Sequence, residues 1–186
     1  MLTVKERGHF VATLRYAYVA VMETLSAWVP TTPEMEVKLL FGEHIWDAAQ
    51  HADSLGKRTY ELRLPPQKSH RPADGYAELL AAVAALEPTP QRLAAMYDVL
   101  LPGLAGRQRR YVEQTDTLVD APTVRIVERH LVDNTRMIET AHALRQALPA
   151  LQLADAPWLT ALRQREASAE LLASLVPEAA ATAVGA

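Results

Sequence analysis

Between Pro33 and the proline pair Pro65-Pro66 the chain runs for about thirty residues without a proline, and its apolar side chains return every three or four positions. At about 100° per residue, Val37, Leu40, Ala48, Leu55 and Leu62 all fall within about 40° of one line along the helix. A stripe of that kind buries one helix face and leaves the other for solvent or a partner, so the chain must fold as long helices packed side by side. Only 7 glycines interrupt the sequence, and most of its 12 prolines stand at helix starts or in connections. Alternating β-branched runs are missing, which makes the expected fold class all-α.

The same reading places a first helix over 3–28, with Phe10, Leu14, Tyr18, Val21, Leu25 and Trp28 at helical spacing and Pro30 as its stop. Thr31-Thr32-Pro33-Glu34 has the form of a threonine N-cap with proline in the first turn, and opens the second helix over 33–62. The proline-rich stretch from Leu64 to Pro72 is read as a crossover, followed by a short helix near 75–86. A third long helix is expected over 89–117, kinked at Pro102, and a fourth over 121–147. The connection between them is so short that they must be antiparallel neighbours. A last helix over 157–175 completes a single domain, residues 1–176, with 177–186 as a disordered tail.

Composition narrows function mainly by exclusion. With 19 basic and 22 acidic residues and a net charge of −3, no electrostatic footprint for nucleic acid is present. No apolar run is long enough for a membrane span or a signal region, so the expectation is a soluble cytoplasmic protein without a membrane partner. The chain has 0 cysteines, which removes disulfides and thiolate chemistry and leaves His, Asp and Glu as the ligands for any metal.

Those residue types occur where they are least expected. On the second helix, His44 lies in the middle of the apolar stripe, His51 about 20° from it, and Asp47 about 60° away at its edge. Buried polar groups need a hydrogen-bond or metal partner, so the bundle core is expected to contain a polar site.

The element order, the crossover between the second and third helices, and the His/Asp-bearing second helix resemble the ferritin-like superfamily over roughly residues 5–147. That resemblance implies a four-helix bundle with an extra C-terminal helix. It also implies iron or manganese, and a non-haem metal-dependent oxidoreductase of the oxygenase or hydroxylase kind. Its members place a glutamate on each of two helices and Glu-x-x-His on each of two others. Here the second helix carries His44-x-x-Asp47-x-x-x-His51 instead, and the fourth helix has no Glu-x-x-His around Glu128. The metal ligands implied are therefore His44, Asp47, His51 and Glu128, with Glu23 of the first helix. Glu128, Thr135 and His142, spaced by sevens, are read as a polar stripe at the edge of the fourth helix's apolar face.

The residues leave two further readings open. In one, the histidines belong to a metal-free core network, with Asp47 paired to Arg58 and the imidazoles satisfied by Gln108, Thr135 or tyrosine hydroxyls. The protein then works as a small-ligand or partner-binding module. In the other, His44 or His51 beside Asp47 acts as general acid or base on a small-molecule substrate. Trp46 points about 140° from His51, away from the core stripe, which implies a second buried face and a homodimer, or cover by the C-terminal helix. Arg107, Arg109 and Arg110 diverge in direction and are read as a solvated face, and His9 and His70 carry no clear signal.

Overall fold

The computed structural model describes residues 2–152 and 157–173, so the proposed tail and the end of the last helix beyond 173 lie outside the described residues. It is all-helical, with no strand among the described residues. In chain order the helices are α1 (Val4–Trp28), α2 (Met35–Glu61), α3 (Asp74–Ala84), α4 (Thr89–Ala95), α5 (Leu101–Gln114), α6 (Ala121–Ala147) and α7 (Pro157–Ser168). A π-helical turn, Met96–Leu100, joins α4 to α5.

Local chemistry sets the ends. Thr3 and Glu6 close a reciprocal capping box on α1. The threonines expected to cap α2 do something else: the hydroxyls of Thr31 and Thr32 both donate back to the Trp28 carbonyl, finishing α1. Helix α2 accordingly starts at Met35, and the Glu34 carboxylate accepts from Thr89 at the start of α4. The kink expected at Pro102 takes the form of the π turn just before it, where the Leu101 N–H reaches back to the Met96 carbonyl. Pro102 has no N–H to continue the α-helical ladder, and a widened turn accommodates the loss. Helix α7 stops at Ser168, short of the expected 175, and Arg107 satisfies the carbonyls of Glu166 and Ala169 at its end.

Contacts between helices fix their directions. Phe10 stacks on Tyr111 and Arg92 lies over Trp28, so α1 runs antiparallel to α4–α5. Arg58 meets Thr123, His51 meets Asp133, and Asp47 meets Arg136, so α2 and α6 are antiparallel. Glu34 meets Thr89 and His44 meets Tyr97, so α2 is parallel to α4 and the π turn. The crossover between them hugs the bundle: the Gln67 N–H bonds the Gly56 carbonyl, and a Cβ on Gly56 would collide with the Gln67 side chain. His70 N–H then bonds the Ala12 carbonyl, bringing the chain back along α1.

The four long stretches share one core. Leu14, Leu25, Phe41, Leu55, Leu93, Leu104 and Val127 are fully or almost fully buried in it. Each such aliphatic or aromatic side chain contributes about 1.5–3 kcal/mol of hydrophobic stabilisation.

Candidate functional site

The polar site expected in the core is present, and it lies between α1, α2 and α6. On α2, His44 is 0% and His51 2% exposed, while Asp47 sits at the rim. Facing them, α6 contributes His130 at 2% and Asn134 at 0% exposure, with Asp133 beside them. The imidazole centroids of His51 and His130 are 4.0 Å apart, and the Tyr18 ring of α1 meets both edge-on at 4.7 and 5.3 Å.

The hydrogen bonds define the protonation pattern. Burial holds all three imidazoles below the ordinary histidine value: His44 at about 4, His130 at about 2, and His51 lowered despite the opposing pull of Asp133. They are neutral rings, each with one N–H and one lone pair. His51 Nε2–H donates to the Asp133 carboxylate at 3.1 Å, which leaves Nδ1 as its lone pair. The Ser54 hydroxyl proton goes to the His51 carbonyl, so Ser54 accepts from His130 Nε2–H at 2.9 Å and the lone pair of His130 is again on Nδ1. Both Nδ1 atoms are buried and have no protein partner, and neither has Asn134 Oδ1. The Tyr18 hydroxyl accepts from Asn134 at 2.7 Å and from Gln108 at 3.0 Å, which leaves its own proton to donate. The core thus presents three unmatched acceptors beside a single hydroxyl proton. Each unmatched group costs about 1–3 kcal/mol if nothing fills it.

His44 stands apart, one turn beyond Asp47. The Tyr97 hydroxyl donates to His44 Nδ1 at 2.7 Å, and His44 Nε2 has no partner. Asp47 is turned to Arg136, which also reaches Glu43. Arg136 approaches Asp47 Oδ2 to 2.8 Å as an ion pair.

Several sequence expectations are corrected by these positions. Asp47 pairs with Arg136 and not with Arg58, which is engaged by Thr123, Glu61 and Asp120. Glu23 and Glu128 are exposed on the outside of α1 and α6, away from the histidines. The inward face of α6 is Thr123, Val127, His130, Asn134, Met137 and Ala141, and the edge stripe of Glu128, Thr135 and His142 lies about 120–160° from His130. His130 and Asp133 are residues of the core cluster that the sequence reading missed, although the signal was present: His130-x-x-Asp133 repeats the spacing of His44-x-x-Asp47. Gln108 does reach the site, but through Tyr18 and Asn134 and not through an imidazole.

Iron or manganese requires at least three converging nitrogen and oxygen donors, as in the two-histidine, one-carboxylate set. Among the described residues no group of three or more His, Asp or Glu side chains is placed to hold a metal ion. The carboxylates nearest the histidines are committed to His51 and Arg136, so the ferritin-type ligand set does not fit this arrangement.

Outside the core, Trp46 is 66% exposed and continues a stripe with Met35 and Leu39, whereas α7 packs on α3 and α4. His9 and His70 meet through their Nδ1 atoms at 3.1 Å. Arg107 is buried against Glu166, a departure from the solvated face expected for that arginine. Among the described residues no helix is long and apolar enough to cross a membrane. No family model, curated protein or solved structure matches the chain.

Proposed function

We propose that this chain is a metal-free helical-bundle binding protein that takes up a small, donor-rich ligand between α1, α2 and α6. The observation that carries the reading is the surplus of buried acceptors: His51 Nδ1, His130 Nδ1 and Asn134 Oδ1. A ligand that donates to these atoms and accepts from the Tyr18 hydroxyl satisfies the site. A small amino alcohol has that pattern, and Asp133 beside His51 and Asp47 at the rim favour positive charge near it.

The alternative is the diverged ferritin-like oxidative protein using iron or manganese. What favours it is the same pair of imidazole lone pairs, with the remaining donors having to come from Asn134, water or the substrate. One titration separates the two. The untagged, metal-free chain, labelled with ¹⁵N at histidine, is titrated with ethanolamine and, separately, with Mn(II) and Fe(II) under anaerobic conditions. Saturable shifts of the His51 and His130 Nδ1 resonances with ethanolamine, abolished in His51→Leu, support the binding-module reading. Stoichiometric metal uptake lost in His51→Leu favours the oxidative reading instead. Unmoved resonances in every arm overturn both.

A further inference from the structure

A cavity of about 510 Å³ opens at the end of the bundle where α1 begins and α5 ends, with residues 167–173 as its third wall. That volume lies within the range of small-molecule sites, about 300–1,000 Å³. It is separate from the histidine site and shares no residue with it. Its apolar surface includes the stacked rings of Phe10 and Tyr111, 3.9 Å apart and 7° from parallel, with Leu2 and Leu171 beside them. The third wall is held in place by the protein itself. His9 Nε2–H donates to the Ala173 carbonyl at 2.9 Å, and His9 Nδ1 is then the acceptor for His70 Nδ1–H. Arg107 clasps the Glu166 carboxylate and the carbonyls of Glu166 and Ala169, and only glycine at 103 leaves room for that carboxylate.

Most polar groups around the cavity are already engaged. Glu6 is held by the amide and hydroxyl of Thr3, Tyr111 by Asp120, and Arg107 by the third wall. Left unengaged are the exposed Glu170 carboxylate on the third wall and two donors on one face of α5, the Arg110 guanidinium and, one turn later, the Gln114 amide. A single free guanidinium fork beside an apolar surface matches one planar, singly charged carboxylate; a doubly charged phosphate would ask for more cations than the cavity offers.

We propose that this cavity binds an aromatic carboxylic acid, its ring system against Phe10, Tyr111 and Leu171 and its carboxylate on Arg110 and Gln114. Calorimetric titration of the full chain with 2-naphthoate, 2-naphthamide and 2-naphthylmethylamine tests it. The acid is expected to bind about tenfold more tightly than the amide, in keeping with one charge-assisted pair. Arg110→Ala should bring the acid down to the affinity of the amide and leave the amide unchanged, whereas Arg109→Ala, on a neighbouring arginine outside the cavity lining, should alter neither. The proposal is overturned by an amide or amine that binds as tightly as the acid. Equal losses in Arg109→Ala and Arg110→Ala, or no binding of the acid at millimolar concentration by either protein, overturn it as well.

Discussion

Two buried polar clusters stand on the same pair of helices, α2 and α6, about two turns apart, and they are built in opposite ways. Both carboxylate oxygens of Asp120, which is 0% exposed, are matched. One carboxylate oxygen accepts from Arg58 at 3.1 Å and Thr123 at 2.6 Å, the other from Tyr111 and from Thr115 at 3.2 Å. Arg58 turns its Nε–H to Thr123 and a further N–H to Glu61. Around His51 and His130 the protein places equally buried groups and leaves three acceptors without donors. A closed network fixes the register of the helices that meet in it, whereas an open one reserves its capacity for something else. The difference teaches that burial alone does not tell the two clusters apart; the unmatched atoms do.

That contrast is sharpest under substitution. Arg58→Ala leaves the Asp120 carboxylate without its counter-charge and is expected to cost about 3–5 kcal/mol in urea unfolding. A loss below about 1 kcal/mol would mean that the closed network is not what holds α2, α5 and α6 in register.

Acid separates the clusters next. A histidine held at about 4 when folded, as burial holds His44, binds fewer protons folded than unfolded once the pH drops below the ordinary value near 6.5. Its stability contribution is therefore intact above that value and falls as the pH moves down from about 6.5 toward 4, by about 2–3 kcal/mol at pH 4.5. His130, held at about 2, loses stability over the same window and further down. Urea unfolding at pH 7 and 4.5 should show the combined drop, and His44→Gln should remove about 2–3 kcal/mol of it. An unchanged slope in the variant would show that the imidazole is not buried neutral.

Much of this architecture is legible in the residues. The all-helical class, the span of α6, the short α5–α6 connection and the placement of His44 and His51 in the core all follow from periodicity and proline positions. What escaped depends on partners distant in sequence. Thr32 has the form of an N-cap, yet its hydroxyl finds the Trp28 carbonyl first. The inward face of α6 was hidden because His130 and Asn134 replace apolar residues there, which makes the stripe of Glu128, Thr135 and His142 look like the polar edge of a wider apolar face. His9 and His70 become a pair only after the crossover has returned along α1.

Replacing His51 and His130 together by leucine tests the open cluster from the other side. Removing two imidazoles that are each only half matched, when Asp133 keeps Arg136 nearby and Ser54 keeps the His51 carbonyl, is expected to shift unfolding stability by less than about 1 kcal/mol, or to raise it. A loss comparable to that of Arg58→Ala would make the histidines part of the scaffold and erase the distinction between the clusters.

The smallest effect is expected on the opposite face of α2. Trp46 is 66% and Leu39 68% exposed, and between them Gly42 has nothing within 4 Å of where its Cβ would stand. Such side chains contribute little to a single chain, so Trp46→Ala should change unfolding stability by no more than about 0.5 kcal/mol at micromolar concentration. The homodimer reading adds a requirement: sedimentation should show a pair of chains that dissociates in Trp46→Ala, since Trp is among the residues that dominate interfaces. If the parent chain sediments as a monomer, or the variant stays paired, the apolar stripe is not a self-association face, and the polar contents of the bundle carry the functional case alone.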